Sequence, residues 1–165
     1  MKMLQKLLIS GIPSTGKTFI GNYLRDNKSF LHFNMEDENK FQELTKNPEK
    51  FINELSAKKQ DAVITGGFQT SELAFNLVKK IIKAGFVFVW FGGNHQAARR
   101  EFIKRNTVQI DLFNKKMNEL EKNYSKIMEL NPILINTFDN AGLFKTPEQI
   151  NLEIDELIKK INKEK

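Results

Sequence analysis

Gly11-Ile12-Pro13-Ser14-Thr15-Gly16-Lys17-Thr18 stands between an apolar run, Lys6-Leu7-Leu8-Ile9-Ser10, and a segment from Thr18 to Arg25 whose apolar residues fall at helical spacing. The order is strand, loop, helix. Glycine, four residues, glycine, lysine and then serine or threonine is the spacing that curls a backbone so that successive N–H groups converge on phosphate oxygens. The helix that follows adds the positive end of its dipole. Lys17 brings a point charge to the outer phosphates of a nucleotide, read as ATP, and the Thr18 hydroxyl is a ligand for an Mg2+ ion that keeps most of its waters. A glycine-rich turn that binds nothing would account for Gly11 and Gly16, but not for lysine followed by threonine. The residues assigned to the nucleotide here are Gly11, Pro13, Ser14, Thr15, Gly16, Lys17 and Thr18.

Four more apolar runs follow, at Phe30–Met35, Asp61–Thr65, Phe86–Phe91 and Ile133–Thr137. The run Phe86-Val87-Phe88-Val89-Trp90-Phe91 is apolar throughout, which suits a central strand of a parallel sheet covered on both faces. Between the runs, Phe41, Leu44, Phe51, Ile52 and Leu55 mark helical faces, and Asn47-Pro48-Glu49 divides them into two short helices. Thr70 is placed to cap a helix carrying Leu73, Leu77, Val78, Ile81 and Ile82 to a stop at Gly85. Asn94 caps a helix through Arg105, a second helical stretch runs over about 111–130, and Asn131-Pro132 ends it. Thr146-Pro147-Glu148-Gln149 reads as a capping box that opens the last helix. Five strands alternating with helices predict a single α/β domain over 1–165, with a five-stranded parallel sheet between two helical layers.

The 165 residues contain no cysteine and two histidines, which excludes disulfides and thiolate metal sites and disfavours structural zinc. No stretch reads as a signal peptide or membrane span, so a cytoplasmic location and no membrane partner are expected. The net charge of +6 fits nucleic acid, an acidic membrane face or a phosphate-rich small substrate. Its distribution favours the last. Lysine pairs such as Lys58-Lys59, Lys79-Lys80, Lys115-Lys116 and Lys159-Lys160 are spread along the chain as solvated faces, and no aromatic-interleaved basic motif of the base-stacking kind occurs. Arginine is used differently: the chain has 22 lysines and four arginines, yet Arg99, Arg100 and Arg105 fall together.

Gly-x-Pro-x-x-Gly-Lys-Thr in so short a chain resembles the loop of the small kinases grouped with nucleoside monophosphate, shikimate and gluconate kinases. The resemblance extends in outline to the strand order, and the loop is its specific part. It implies the three-layer P-loop NTPase fold, ATP and Mg2+ as cofactors, and transfer of the γ-phosphate to a small metabolite or nucleotide. It also implies acidic residues at the end of the second strand, here Glu36 and Asp37, facing the acceptor or a magnesium-bound water. A carboxylate there lies in the crevice where open parallel sheets bind ligands and could take the acceptor's proton. The same pair also suits the first turn of a helix. The resemblance places the lid after the fourth strand, at about 94–116, with Arg99, Arg100 and Arg105 as its phosphate-bridging groups. It places the adenine site after the fifth strand, at Asn136 and Phe138. His95 is read as a loop residue.

One feature departs from that family: the third strand ends Thr65-Gly66-Gly67 with no aspartate to organise magnesium, and Asp61 sits at the other end. Thr65 with water, or Glu36 or Asp37, must then take over that work, or the chain is an NTPase or nucleotide-binding switch without a small-molecule acceptor. A GTPase is disfavoured because Asn136-Thr137-Phe138-Asp139 lacks the asparagine-lysine-x-aspartate guanine reader. A kinase acting on a small-molecule acceptor, as a monomer or small homo-oligomer, is the leading expectation.

Overall fold

Alternate side chains of the three central strands feed two separate apolar layers, and this determines the architecture. The computed structural model describes residues 3–105 and 109–165. Five strands, β1 (Lys6–Gly11), β2 (Leu31–Asn34), β3 (Ala62–Thr65), β4 (Val87–Gly92) and β5 (Ile133–Asn136), form one sheet in the order β2-β3-β1-β4-β5. Every neighbouring pair is parallel. Leu7, Ile9, Val63, Val89 and Phe91 pack on one face with Ile20 and Leu24 of α1 (Lys17–Lys28) and Ile150 and Ile154 of α8 (Pro147–Lys163). Leu8, Ile64, Phe88 and Trp90 point the other way. They meet α2 (Glu38–Lys46), α3 (Pro48–Ala57), α4 (Glu72–Lys83), α5 (His95–Lys104), α6 (Ile110–Lys122) and α7 (Tyr124–Met128). The result is a three-layer α/β/α fold. Burying each such side chain is worth about 1.5–3 kcal/mol, so the all-apolar β4 contributes to both layers at once.

The local signals mostly act where expected, and three do not. Asn47 caps α3, with Pro48 in its first turn, and the Thr146–Gln149 capping box is fully formed at α8. The cap of α4, however, is Ser71, whose Oγ accepts from the Ala74 N–H; the Thr70 hydroxyl donates instead to Glu119 of α6. The stretch expected as one helix over 111–130 is two, divided at Asn123, whose side chain donates to the Glu119 carbonyl. Leu73, expected on the buried face of α4, is 77% exposed, and Phe75 takes the core position. Residues 106–108 of the expected lid lie outside the described residues. Among the described residues, no helix is long and apolar enough to cross a membrane.

Candidate functional site

The loop after β1 lies at the carboxyl edge of the sheet, where the order β3-β1-β4 leaves the crevice typical of ligand sites in open parallel sheets. Gly11 is required there: its φ is 149°, and an added Cβ would stand 2.1 Å from the Phe91 carbonyl oxygen. The Ile12 N–H donates to that same oxygen at 3.0 Å and holds the loop's start against β4. Ser14 at φ 60° and Gly16 at φ 82° turn the loop into α1. Gly16 offers α1 no side-chain cap, and the first turn has no acidic residue, so its N–H groups face the concave side of the loop. Ser14 buries a hydroxyl that makes no hydrogen bond to any described residue. Unsatisfied donors around a buried lysine fit the phosphates of a nucleotide.

Lys17 is buried, and its Nζ donates to the Ile12 carbonyl at 2.7 Å; the Thr15 hydroxyl donates to the same oxygen at 2.9 Å. Burial pushes the Lys17 ammonium down to about 8. Glu36 opposes that fall, while Arg105 and Lys116 deepen it. Three charges, from the end of β2, the end of α5 and α6, therefore bear on Lys17. Glu36 is exposed, and its backbone N–H donates to Asn34 Oδ1 at 3.0 Å, which turns the chain at the strand end. Asp37 has a different place: it is the N-cap of α2, and its Oδ1 accepts from the Asn39 and Lys40 N–H groups at 3.0 and 3.4 Å.

The three arginines are separated. Arg105 at the end of α5 acts electrostatically on Lys17. Arg100 reaches the loop between β5 and α8, where its Nη2 donates to the Gly142 carbonyl at 2.7 Å. Arg99 is exposed on α5. In that same loop, Asn136 Oδ1 accepts from the Phe138 N–H. Phe138 is only 1% exposed and stacks on Phe144 with ring centroids 4.6 Å apart, so a base cannot reach its ring without displacing Phe144. Phe144 is 42% exposed, and its Cε1 lies 3.5 Å from where a Cβ on Gly16 would stand. The ring presented to the phosphate loop is therefore Phe144.

At the end of β3, the position without a carboxylate carries a polar chain. His32 Nδ1 lies 3.1 Å from Asn22 Oδ1, and His32 Nε2 lies 2.8 Å from Thr65 Oγ1. The amide oxygen can only accept, so Nδ1 carries the proton and Thr65 donates to Nε2. Burial pushes the His32 pKa down, with Arg25 adding to the effect, and this agrees with a neutral ring. Asp61, at the opposite edge of the sheet, accepts from the Gln5 N–H. Among the described residues, no group of three or more histidine, cysteine, aspartate or glutamate side chains could hold a metal ion. Thr18, in the first turn of α1, is the sequence-assigned metal ligand that remains next to the loop.

Two cavities open at this edge. One, of about 460 Å³, lies beside Glu36 between the ends of β2 and β3, α2 and α4. The other, of about 580 Å³, lies between β4, β5 and α6 and touches the phosphate loop only through Ile12. Lys116 of α6 lines neither cavity: it pairs with Glu119 at 3.7 Å, and the Thr70 hydroxyl, with help from Lys116, holds the Glu119 carboxyl below its usual range. Lys116, His32 and Phe144 are absent from the sequence-derived site. Lysine pairs read as solvated surface, and the single available sign for Phe144 was an aromatic residue in a loop otherwise rich in small and polar residues.

No family model and no curated protein sequence matches the chain. Solved structures do. A shikimate kinase from Bacteroides thetaiotaomicron superposes with a TM-score of 0.62 at 15% identity, over 97% of this chain and 99% of that one. A shikimate kinase from Acinetobacter baumannii in complex with shikimate gives 0.62 at 16% identity, over 99% and 96%. A gluconokinase from Sinorhizobium meliloti 1021 gives 0.58 at 10% identity, over 93% and 90%. The chain thus has the three-layer α/β/α fold of these small kinases.

Proposed function

We propose that this protein transfers the γ-phosphate of ATP to the hydroxyl of a small molecule. The observation that carries this reading is the buried Lys17 at the start of α1, held against the loop after β1, with a cavity beside Glu36 at the same sheet edge that can receive an acceptor. Lys17 and the N–H groups opening α1 bind the phosphates, Arg105 and Lys116 offset charge that develops during transfer, and Glu36 accepts the hydroxyl proton. Thr18 and, through water, Thr65 would hold Mg2+, which when bound neutralises the β- and γ-phosphate oxygens. The His32–Thr65 bond leaves the Thr65 oxygen its lone pairs for such a water. Phe144 takes the place of Phe138 as the ring against the base, and Arg100 holds its loop in place. Asp37 shapes the turn after Glu36 by capping α2.

The neutral His32–Thr65 pair at the end of β3 favours a second reading, in which water is the acceptor and the protein is an NTPase or nucleotide-binding switch. The two are separated by ADP release measured with Mg2+ and ATP across a panel of hydroxyl compounds. Acceptor-dependent stimulation supports the kinase; one slow rate that no compound changes supports hydrolysis.

A further inference from the structure

The phosphoryl-transfer reading leaves the acceptor open, and the walls of the 460 Å³ cavity restrict it; the inference below rests on that reading. Met35 and Phe41 stand on one side, Phe68 lies at the base, and Leu73, Leu77 and Val78 of α4 form the other side. Among the described residues that line the cavity, Glu36 is the one charged group, although the chain carries 26 lysines and arginines. The arginines are placed elsewhere. Arg105 acts at Lys17, Arg100 bonds to Gly142, Arg25 pairs with Asp26, and Arg99 is exposed on α5. Lys40 of α2 lies over the Phe33 ring and pairs with Glu43. Two large apolar side chains of the wall, Leu73 and Phe41, are 77% and 43% exposed.

Lys17, Arg105 and Lys116 are not among the residues that line this space, so a carboxylate or phosphate ester held within it would exchange water for hydrocarbon and meet Glu36 as the charge in the wall; both effects oppose binding. A hydrocarbon body gains roughly 25 cal/mol for each Å² it removes from water. We propose that this cavity takes an uncharged alcohol with a mainly hydrocarbon body, and that on the phosphoryl-transfer reading this alcohol is the acceptor. Its hydroxyl oxygen bonds to the γ-phosphorus of the nucleoside triphosphate, and the bond from that phosphorus to the β–γ bridging oxygen breaks. The electron pair leaves with the nucleoside diphosphate, and the hydroxyl proton passes to the Glu36 carboxylate. Shikimate and gluconate, named by the neighbouring folds, are acids; this cavity is built for a different class.

Cyclohexylmethanol and cyclohexanecarboxylate have nearly the same shape and differ in charge. Titrated into the ¹⁵N-labelled full chain, the alcohol should bind at least about ten-fold more tightly than the carboxylate and shift the amides of Gly66, Gly67 and the start of α4. Ala74→Trp, which fills the cavity, should abolish that binding. If this variant fails to fold, Leu73→Arg carries the test from an exposed position: it should raise carboxylate affinity by up to about five-fold and lower that of the alcohol. Equal or tighter binding of the carboxylate, or shifts elsewhere in the molecule, would overturn the inference. Addition of ATP and Mg2+, followed by phosphorus NMR, separates the two levels of the argument. Phosphorylation of acids or nucleotides but of no hydrophobic alcohol overturns the inference and keeps the kinase. Selective alcohol binding with only inorganic phosphate produced supports the cavity's preference and overturns phosphoryl transfer.

Discussion

Replacing Lys17 with methionine should stabilise the free protein while removing its response to ATP. The side chain is buried, and the fall of its pKa from 10.5 to about 8 corresponds, at about 1.4 kcal/mol per pH unit, to roughly 3 kcal/mol by which its surroundings, burial foremost, disfavour the charged form. Methionine keeps the length and apolar stem and removes the charge. The bond from Nζ to the Ile12 carbonyl is lost, but Thr15 still donates to that oxygen, so no buried acceptor is left unsatisfied. A net gain of roughly 2 kcal/mol is expected, which in a chain of this size raises Tm by about 4–8 °C. Calorimetric melts at pH 7 measure it. The sign of the pH dependence follows from linkage: between about 8 and 10.5 the folded lysine has released its proton while the unfolded one retains it, so wild-type stability rises with pH across that window. The advantage of Lys17→Met should shrink accordingly from pH 8 to 10.5. ATP with Mg2+ should raise the Tm of the wild type by mass action and leave that of the variant almost unchanged. A variant less stable than wild type at pH 7, with a gap independent of pH, would refute the reasoning.

Other sites give outcomes that separate neighbouring residues. Glu36→Gln should reduce turnover by at least about ten-fold while leaving ATP affinity intact, as loss of a general base does; Asp37→Asn keeps a capping side chain and should change turnover little. Steady-state kinetics decide, and equal losses would return Asp37 to the chemistry. Arg105→Ala should lower kcat. Arg100→Ala and Phe144→Ala should chiefly raise the KM for ATP, with Phe144→Ala costing about 1–3 kcal/mol of stacking; a kcat effect confined to Arg100 would reverse the assignment. Because the His32 pKa is depressed in the folded state, the unfolded chain takes up the proton first as pH falls below about 6.5, and stability should decline there. His32→Asn should flatten the acid limb of urea-melt stability, and an unchanged limb would place that titration elsewhere.

The parts of this molecule written in local sequence are those where one residue type has one use. Gly11 and Gly16 sit where the backbone needs them, Pro48 opens a helix, and the all-apolar run before Gly92 is a strand covered on both faces. Ambiguity entered where adjacent residues can play the same part. Thr70 and Ser71 are both able to cap α4, and the choice was made by Glu119, 49 residues away from Thr70. Leu73 fits the apolar period of its helix yet faces a cavity, because periodicity records which side a residue lies on and not what is opposite. Phe138 and Phe144 are six residues apart in one loop, and only their stacking decides which ring is outside. Lys116 and His32 join the site through elements distant in sequence, so neither composition nor spacing could mark them. The arginines near residue 100 were legible as a group, but their division between Lys17 and Gly142 depends on how α5 meets the last loop.

The most direct test follows the γ-phosphate itself. The protein is incubated with Mg2+, ATP and a panel that pairs hydrophobic alcohols with hydroxy acids and nucleotides, and phosphorus NMR records where the phosphorus goes. The account predicts loss of the γ resonance with appearance of ADP and a phosphate monoester, and no such product with Lys17→Met. Accumulation of ADP and inorganic phosphate alone with every compound, or identical turnover by Lys17→Met, would contradict it.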